Sequence, residues 1–243
     1  MPNKTLLGRC PVLFALAICV VALTSGCGGG GGTSGGGGGG GMLPPPPGTL
    51  TPVGTLSING GTIGLDDTFS PVDGMTALGG LQGQPIDGVV CANLPIAFHI
   101  HTHLSLFVNG QRLAIPDGIG IPDPHPDSPA GYVPGGKCFY HLHSHQTEGV
   151  IHIEAPAPAQ FTLGQYFDIW GQTLSSSNIA GHAGSVQIYT AQPTSPASLS
   201  TGNYTLYAGD PRAIPLLAHE EIVLEVGPPF VTSLPQIDFS AGY

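Results

Sequence analysis

Basic side chains are scarce. Lys and Arg together number five against fifteen Asp and Glu. Lys4 and Arg9 stand at the N-terminus, so Arg112, Lys137 and Arg212 are the only cations in the remainder. A surface with that balance repels phosphate backbones, which excludes nucleic acid as a partner. Long hydrophobic runs are also lacking. Residues 10–24 form one apolar stretch, CPVLFALAICVVALT. It falls short of the roughly 20 residues a spanning helix needs. No second such run follows, so the remainder is not expected to sit in a bilayer. Beyond the initiator, methionine occurs at Met42 and Met75 alone, both in low-complexity sequence, which disfavours a soft copper(I) site. The glycine run precedes no strand–helix unit, so no phosphate-cradling loop is present.

The basic start, the apolar stretch and the ending Leu23-Thr24-Ser25-Gly26-Cys27 form a leader. That ending resembles the lipobox of bacterial lipoproteins, with Thr24 three places before the cysteine where leucine is usual. The resemblance implies a signal peptide over 1–26, lipid attachment at Cys27, and export to the bacterial cell envelope, at the outer membrane. Contact with a membrane is then through the N-terminal lipid only.

Of the five cysteines, Cys10 and Cys19 lie in the leader and Cys27 carries the lipid. Cys91 and Cys138 remain, an even pair in an oxidising compartment, and a disulfide is expected. Two thiolate metal ligands are the alternative.

Residues 27–84 read as a tether. Almost pure glycine gives way to four prolines at 44–47, a flexible arm followed by a stiff spacer. Residues 85–229 carry the folded domain, and 230–243 form a C-terminal tail. Strand signals dominate the domain. Residues 97–108 alternate, placing Ile100, Thr102, Leu104, Leu106 and Val108 on one face, and Asn109-Gly110 is a tight-hairpin signal before a return strand at 111–115. Residues 138–145 and 150–154 read as a second hairpin around 146–149, with further strands at 185–190, 204–207 and 221–226. Thr162 and Gln165 have the spacing of a capping box, and Gly171 can close a two-turn helix over 163–170. The expected class is mainly β, a compact antiparallel sandwich or barrel with one short helix. The segments 110–116 and 209–215, GQRLAIP and GDPRAIP, echo each other and hint at duplication.

Eight of the ten histidines fall between His99 and His152. His99, His101 and His103 alternate, so on a strand all three project from one face. His141, His143 and His145 repeat the pattern, and His152 and Glu154 share a face on the next segment. Closing the second hairpin sets His145 opposite Val150, His143 opposite His152 and His141 opposite Glu154. Opposed Cβ atoms lie about 4.5–5.5 Å apart, close enough for two imidazoles to reach one ion. A one-residue slip would turn His152 away. Packing several unmetallated imidazoles together gains little, so metal binding is the better reading of two triplets plus His152. The expected ligands are His101, His103, His143, His145 and His152, with His99, His141, His219 and Glu154 as extra candidates. His125 and His182 sit in loops and read as incidental. Imidazole donors suit copper(II) or zinc best, with iron next.

Several segments resemble an uncharacterised group of exported bacterial and archaeal His-rich β-domain proteins. The resemblance is carried by Cys91, His99-Ile-His-Thr-His-Leu104, Ile119-Gly-Ile121 and Cys138-Phe-Tyr-His-Leu-His-Ser-His145. It continues in Gly149-Val-Ile-His-Ile-Glu154, Leu163-Gly-Gln-Tyr-Phe-Asp-Ile-Trp-Gly171 and Ala218-His-Glu-Glu-Ile222. It implies a common fold and metal cluster without naming a reaction. Because an aromatic is frequent at position 141 in that group, it also ranks His141 below His143 and His145. Gly135, His141, His143 and Glu148 further resemble the first cupin motif, Gly-x5-His-x-His-x4-Glu, although Ala155 replaces its trailing glycine.

Three functions follow as expectations. The first is an envelope lipoprotein that sequesters or delivers copper or zinc. The alternative is a cupin-like metalloenzyme, an oxygenase or hydrolase, with Glu148, Glu154 or Asp168 as proton carrier. A third is a non-catalytic envelope module in which the metal is structural. A Ser-His-Asp triad cannot be read from spacing, since such groups assemble only in three dimensions.

Overall fold

The computed structural model describes residues 49–50, 55–57, 83–93, 95–125 and 132–240. The leader, Cys27 and the glycine–proline tether lie outside the described residues. The chain divides into two units, Met1–Leu43 and Pro44–Tyr243, and every described residue belongs to the second.

The strands are, in chain order, β1 (Thr49–Leu50), β2 (Thr55–Ser57), β3 (Cys91–Ala92), β4 (Phe98–Val108), β5 (Gln111–Leu113), β6 (Phe139–Tyr140) and β7 (Leu142–His143). They continue with β8 (Val150–Ala155), β9 (Asn178–Ile179), β10 (His182–Ala183), β11 (Ser185–Ala191), β12 (Tyr204–Leu206), β13 (Glu221–Gly227) and β14 (Gln236–Asp238). One α-helix, α1 (Leu163–Trp170), and a 3-10 turn at Pro211–Ala213 complete the set. The class is mainly β with one short helix. The described residues form no closed barrel and are consistent with a sandwich.

Eight strands make the principal sheet, in the order β1-β12-β11-β13-β4-β8-β7, with β5 also on β4. The edge of β4 is shared, β8 pairing with its first half and β5 with its second. Within this sheet β13 and β4 run parallel and the other pairs antiparallel. The sheet is therefore mixed where hairpin signals pointed to antiparallel pairing. Such signals fix the direction of neighbours in sequence, and β4 and β13 are not neighbours.

Alternation decides which residues go where. Leu104, Leu106, Leu142, Ile151, Ile153, Ile222 and Leu224 fall on one face and are buried in the main core. Leu163, Tyr166, Phe167, Ile169 and Trp170 of α1 belong to the same core. The helix forms as its sequence indicates. The Thr162 side chain accepts from the Gln165 backbone, the Gln165 side chain accepts from the Thr162 backbone, and Gly171 closes the end at φ 74°. The β4–β5 hairpin turns at Asn109 and Gly110, φ 51° and 79°, the paired positive angles of a type I′ turn.

The opposite face of β4 carries His99, His101, His103, Ser105 and Phe107. Two small clusters cover part of it: Val150 with Ile237 and Phe239, and Ala191, Tyr204 and Val223 with Leu234. Packing thus continues beyond residue 229: Ile237 and Phe239 pack with Val150, Leu234 packs with Ala191, Tyr204 and Val223, and β14 pairs with β2. The segment 49–84 likewise contributes β1, which pairs with β12. The disulfide Cys91–Cys138 is present, with Cα atoms 5.6 Å apart, and joins β3 to the start of β6. At a sequence separation of 47, the chain-entropy model gives about 4 kcal/mol of stabilisation. The 110–116 and 209–215 echo does not correspond to one repeated structure: the first forms β5 and the second a 3-10 turn.

Candidate metal centre

Three adjacent strands bring the histidines together. Across β7 and β8, His143 is in register with His152, and across β8 and β4, His152 is in register with His101. The side chains of in-register residues emerge on the same face. His152, on the middle strand, is therefore flanked by an imidazole on each side. His99 is opposite Glu154 by the same register.

Two groups of donors result, each able to hold a metal ion. In the first, His99, His101 and His152 offer nitrogens that converge. His101 Nε2 is 3.1 Å from His152 Nδ1, and His99 Nε2 is 3.4 Å from the same atom. Glu154 Oε1 is 3.1 Å from His99 Nε2 and 3.8 Å from His152 Nδ1. Ligands about 2.0–2.1 Å from a tetrahedral ion stand roughly 3.3 Å apart. The observed spacings bracket that edge.

The second group is His143, His145 and His152. Here the backbone sets the tautomers. His143 Nδ1–H donates to the Tyr140 carbonyl at 2.9 Å, and His145 Nδ1–H donates to the Val133 carbonyl at 2.6 Å. A carbonyl only accepts, so each ring holds its proton on Nδ1 and keeps a lone pair on Nε2. His143 is fully buried, and its Nε2 has no hydrogen-bond partner among the described residues. An imidazole locked by a carbonyl on one nitrogen and bare on the other is the arrangement typical of metal-binding histidines. Phe139 and Tyr132 wall the group, with ring centroids 5.0 Å from His143 and 5.9 Å from His145.

Electrostatics favours lone pairs over protons at His101, His143 and His152. Burial, reinforced by His152 and His99, lowers the His101 imidazole to about 3. Burial together with His145 and His99 lowers His152 to about 3. Burial, then His152 and His145, hold His143 well below its ordinary value. These three rings are neutral donors across the ordinary pH range.

The other candidates lie outside both groups. His103, expected as a ligand, is buried with both ring nitrogens engaged. Nδ1 meets the Glu221 carboxylate, and Nε2 meets the Glu148 carbonyl at 2.9 Å. Arg112, which donates to Ser105 at 3.0 Å, completes this network. His141 turns its edge to Phe161, ring centroids 5.8 Å apart, where the strand breaks between β6 and β7. His219 donates its backbone N–H to the His101 carbonyl at 2.7 Å, and its ring packs on Phe239. Asp168 is held by Arg212 at 2.6 Å. The cupin-like set of His141, His143 and Glu148 is accordingly not assembled as one ligand group.

Sequence reading missed the supports. The buried segment 115–121 lines the back of the histidine strand: Gly118 N–H donates to the Ser144 carbonyl, and Tyr140 N–H to that of Gly120. Gly120 has φ +74°, and a Cβ there would stand 2.3 Å from the Leu142 carbonyl oxygen and 3.0 Å from the His143 Cβ. Glycine in Ile119-Gly-Ile121 was the available signal. The strand also bends after His143, so that His145 pairs with Val133 instead of facing Val150.

Compared with known proteins, the chain matches no family model, no curated protein and no solved structure.

Proposed function

We propose that this chain is an exported lipoprotein, anchored at the bacterial cell envelope through Cys27, whose β domain binds copper or zinc for sequestration or delivery. Iron is the next candidate. One observation carries the metal-binding core of this reading. His143 Nε2 is buried, without a hydrogen-bond partner among the described residues, and grouped with His145 and His152. An unsatisfied buried acceptor costs about 1–3 kcal/mol, and a bound cation removes that cost. The leader and its lipobox-like end support export, and the engaged cysteines leave imidazole as the main donor, which suits copper(II) and zinc. The residues that resemble the exported His-rich group include every member of both donor groups.

Elemental analysis of untagged protein, matured with its own leader, tests the reading. Wild type is expected to carry copper or zinc, and a variant with His101→Ala, His143→Ala and His145→Ala to lose it. A wild type that stays metal-free after dialysis against both ions would refute it. Radiolabelled palmitate incorporated in wild type but not in Cys27→Ala tests the anchor.

A metalloenzyme is the second reading, favoured by a cavity of about 370 Å³ lined by Phe139, Tyr140, His141, His145 and Glu154. A ligand there would lie beside the donors, with Glu154 at hand to carry a proton. Water-proton relaxation on the copper(II)-loaded protein separates the two. An exchangeable bound water favours catalysis, and a closed coordination sphere favours storage.

A further inference from the structure

The two donor groups share one residue, His152. Its Nδ1 is the atom that faces His99 and His101, at 3.4 and 3.1 Å. An imidazole carries its nitrogens on opposite sides of Cε1, so Nε2 is directed away from that group. On the other flank stand His143 and His145, whose Nδ1 atoms are bonded to carbonyls and whose Nε2 atoms remain for an ion. The His152 ring stacks on His143 with centroids 5.3 Å apart and 11° between planes. It meets His145 edge-on at 4.8 Å. A single three-ligand site would leave at least two well-placed imidazoles without a role. The strand register gives each a role: β4 supplies one group, β7 and the residues after it supply the other, and β8 between them supplies the shared ring.

We infer that the domain holds a dinuclear centre of two divalent first-row cations, copper(II) or zinc, bridged by His152. Nδ1 binds the ion held by His99 and His101. Nε2 binds the ion held by His143 and His145. As the second ion arrives, the remaining N–H proton of His152 leaves to solvent, and the ring becomes an imidazolate linking the ions. The first ion is then held by three imidazoles, with the Glu154 carboxylate beside His99. The second has three imidazoles and borders a cavity of about 330 Å³ lined by Tyr132, Gln146 and Glu148. The inference rests on the metal-binding reading above.

The test loads full-length mature protein, stripped by chelator, with copper(II) or with zinc. Equilibrium dialysis is expected to give two ions per chain for either metal. An imidazolate couples two copper(II) spins antiferromagnetically. The low-temperature electron paramagnetic resonance signal of the doubly loaded protein should therefore integrate to well under half of its total copper. Variants with His99→Ala and His101→Ala, or with His143→Ala and His145→Ala, should each keep one copper with a fully integrating signal. Two ions with a full additive signal would overturn the bridge, and one ion per chain would overturn the dinuclear centre while sparing metal binding. No ion at all would overturn both. The decisive spectra come from wild type, so a misfolded variant does not blur the outcome.

Discussion

His143 and His152 stand in register across β7 and β8, their rings stacked 5.3 Å apart, and the outward nitrogen of His143 is buried without a hydrogen-bond partner among the described residues. In His143→Leu the bare acceptor disappears, but so does the Nδ1–H bond to the Tyr140 carbonyl. These opposed changes should leave metal-free stability within about 2 kcal/mol of wild type. The loss shows when metal is added. A ligand at a hundredfold excess over its Kd stabilises wild type by about 2.7 kcal/mol. The variant, which keeps the His99–His101–His152 group, should gain clearly less than wild type. Thermal unfolding of both proteins, with chelator and with zinc, measures the difference. Equal zinc shifts would remove His143 from the site.

His103 calls for the opposite outcome. Its ring closes a buried network with Glu221, the Glu148 carbonyl and Arg112, and neither nitrogen is open to an ion. His103→Ala would strand the Glu221 carboxylate at 1% exposure. Breaking a buried pair in this way costs about 3–5 kcal/mol. Urea unfolding should show that loss, while the folded fraction keeps the metal content of wild type. A variant of normal stability that binds fewer ions would make His103 a ligand after all.

The contrast between these two histidines marks what was legible in the sequence. Period-two alternation placed His99, His101, His103, His143 and His152 on one face, and the loop length set His143 against His152, as found. The capping box at Thr162 and the Asn109-Gly110 turn were equally readable, because each rests on neighbours within a few residues. What decides between His101 and His103 is not local. Glu221 reaches His103 only because β13 lies parallel to β4, and no hairpin signal announces that pairing. The carbonyls that fix the tautomers of His143 and His145 are backbone atoms of Tyr140 and Val133 and leave no trace in residue identity. Ile237 and Phe239 are buried with Val150, a long-range contact, and β14 pairs with β2, which a glycine- and proline-rich stretch did not suggest.

Gly120 links the buried segment 115–121 to the ligands. Any side chain there meets backbone at Leu142 and the Cβ of His143, at a φ that only glycine adopts without strain. Gly120→Ala should destabilise the domain by about 1–3 kcal/mol. It should also weaken metal binding about 10–100-fold, the range expected when a ligand loses its support. Competition with a chromophoric chelator reads the affinity, and the denaturation midpoint reads the stability. Gly88, where an added Cβ meets nothing within 4 Å, is the control. Gly88→Ala retains the strain of a positive φ but should leave metal affinity unchanged. If both variants lose affinity alike, the close approach at Gly120 is not the cause.

Stability should also carry a pH signature from Glu220. Its side chain is buried at 3% exposure; Oε1 accepts from Gln192, and Oε2 has no hydrogen-bond partner among the described residues. Burial dominates and raises the carboxyl to about 7, partly offset by the bonds from Gln192 and the Leu217 backbone, with Glu221 adding to the rise. Below about 4.5, the group is protonated in both folded and unfolded chains and exacts no penalty. Between there and about 7, the unfolded chain ionises first, so this group's contribution to stability falls as pH rises and is level above. His101, His143 and His152, lowered in the folded state, act with the opposite slope, since their protonation favours unfolding as pH falls below about 6.5. The total curve therefore mixes the two effects, and the informative quantity is the difference between wild type and Glu220→Gln. That difference should be near zero at pH 4 and grow through pH 7 to a gain of up to about 3 kcal/mol for the variant. Glu225, also raised by burial, stays in both proteins and cancels. Urea unfolding of the chelated proteins across this range measures it. A difference that stays flat with pH would mean that Glu220 ionises as freely in the fold as in the open chain.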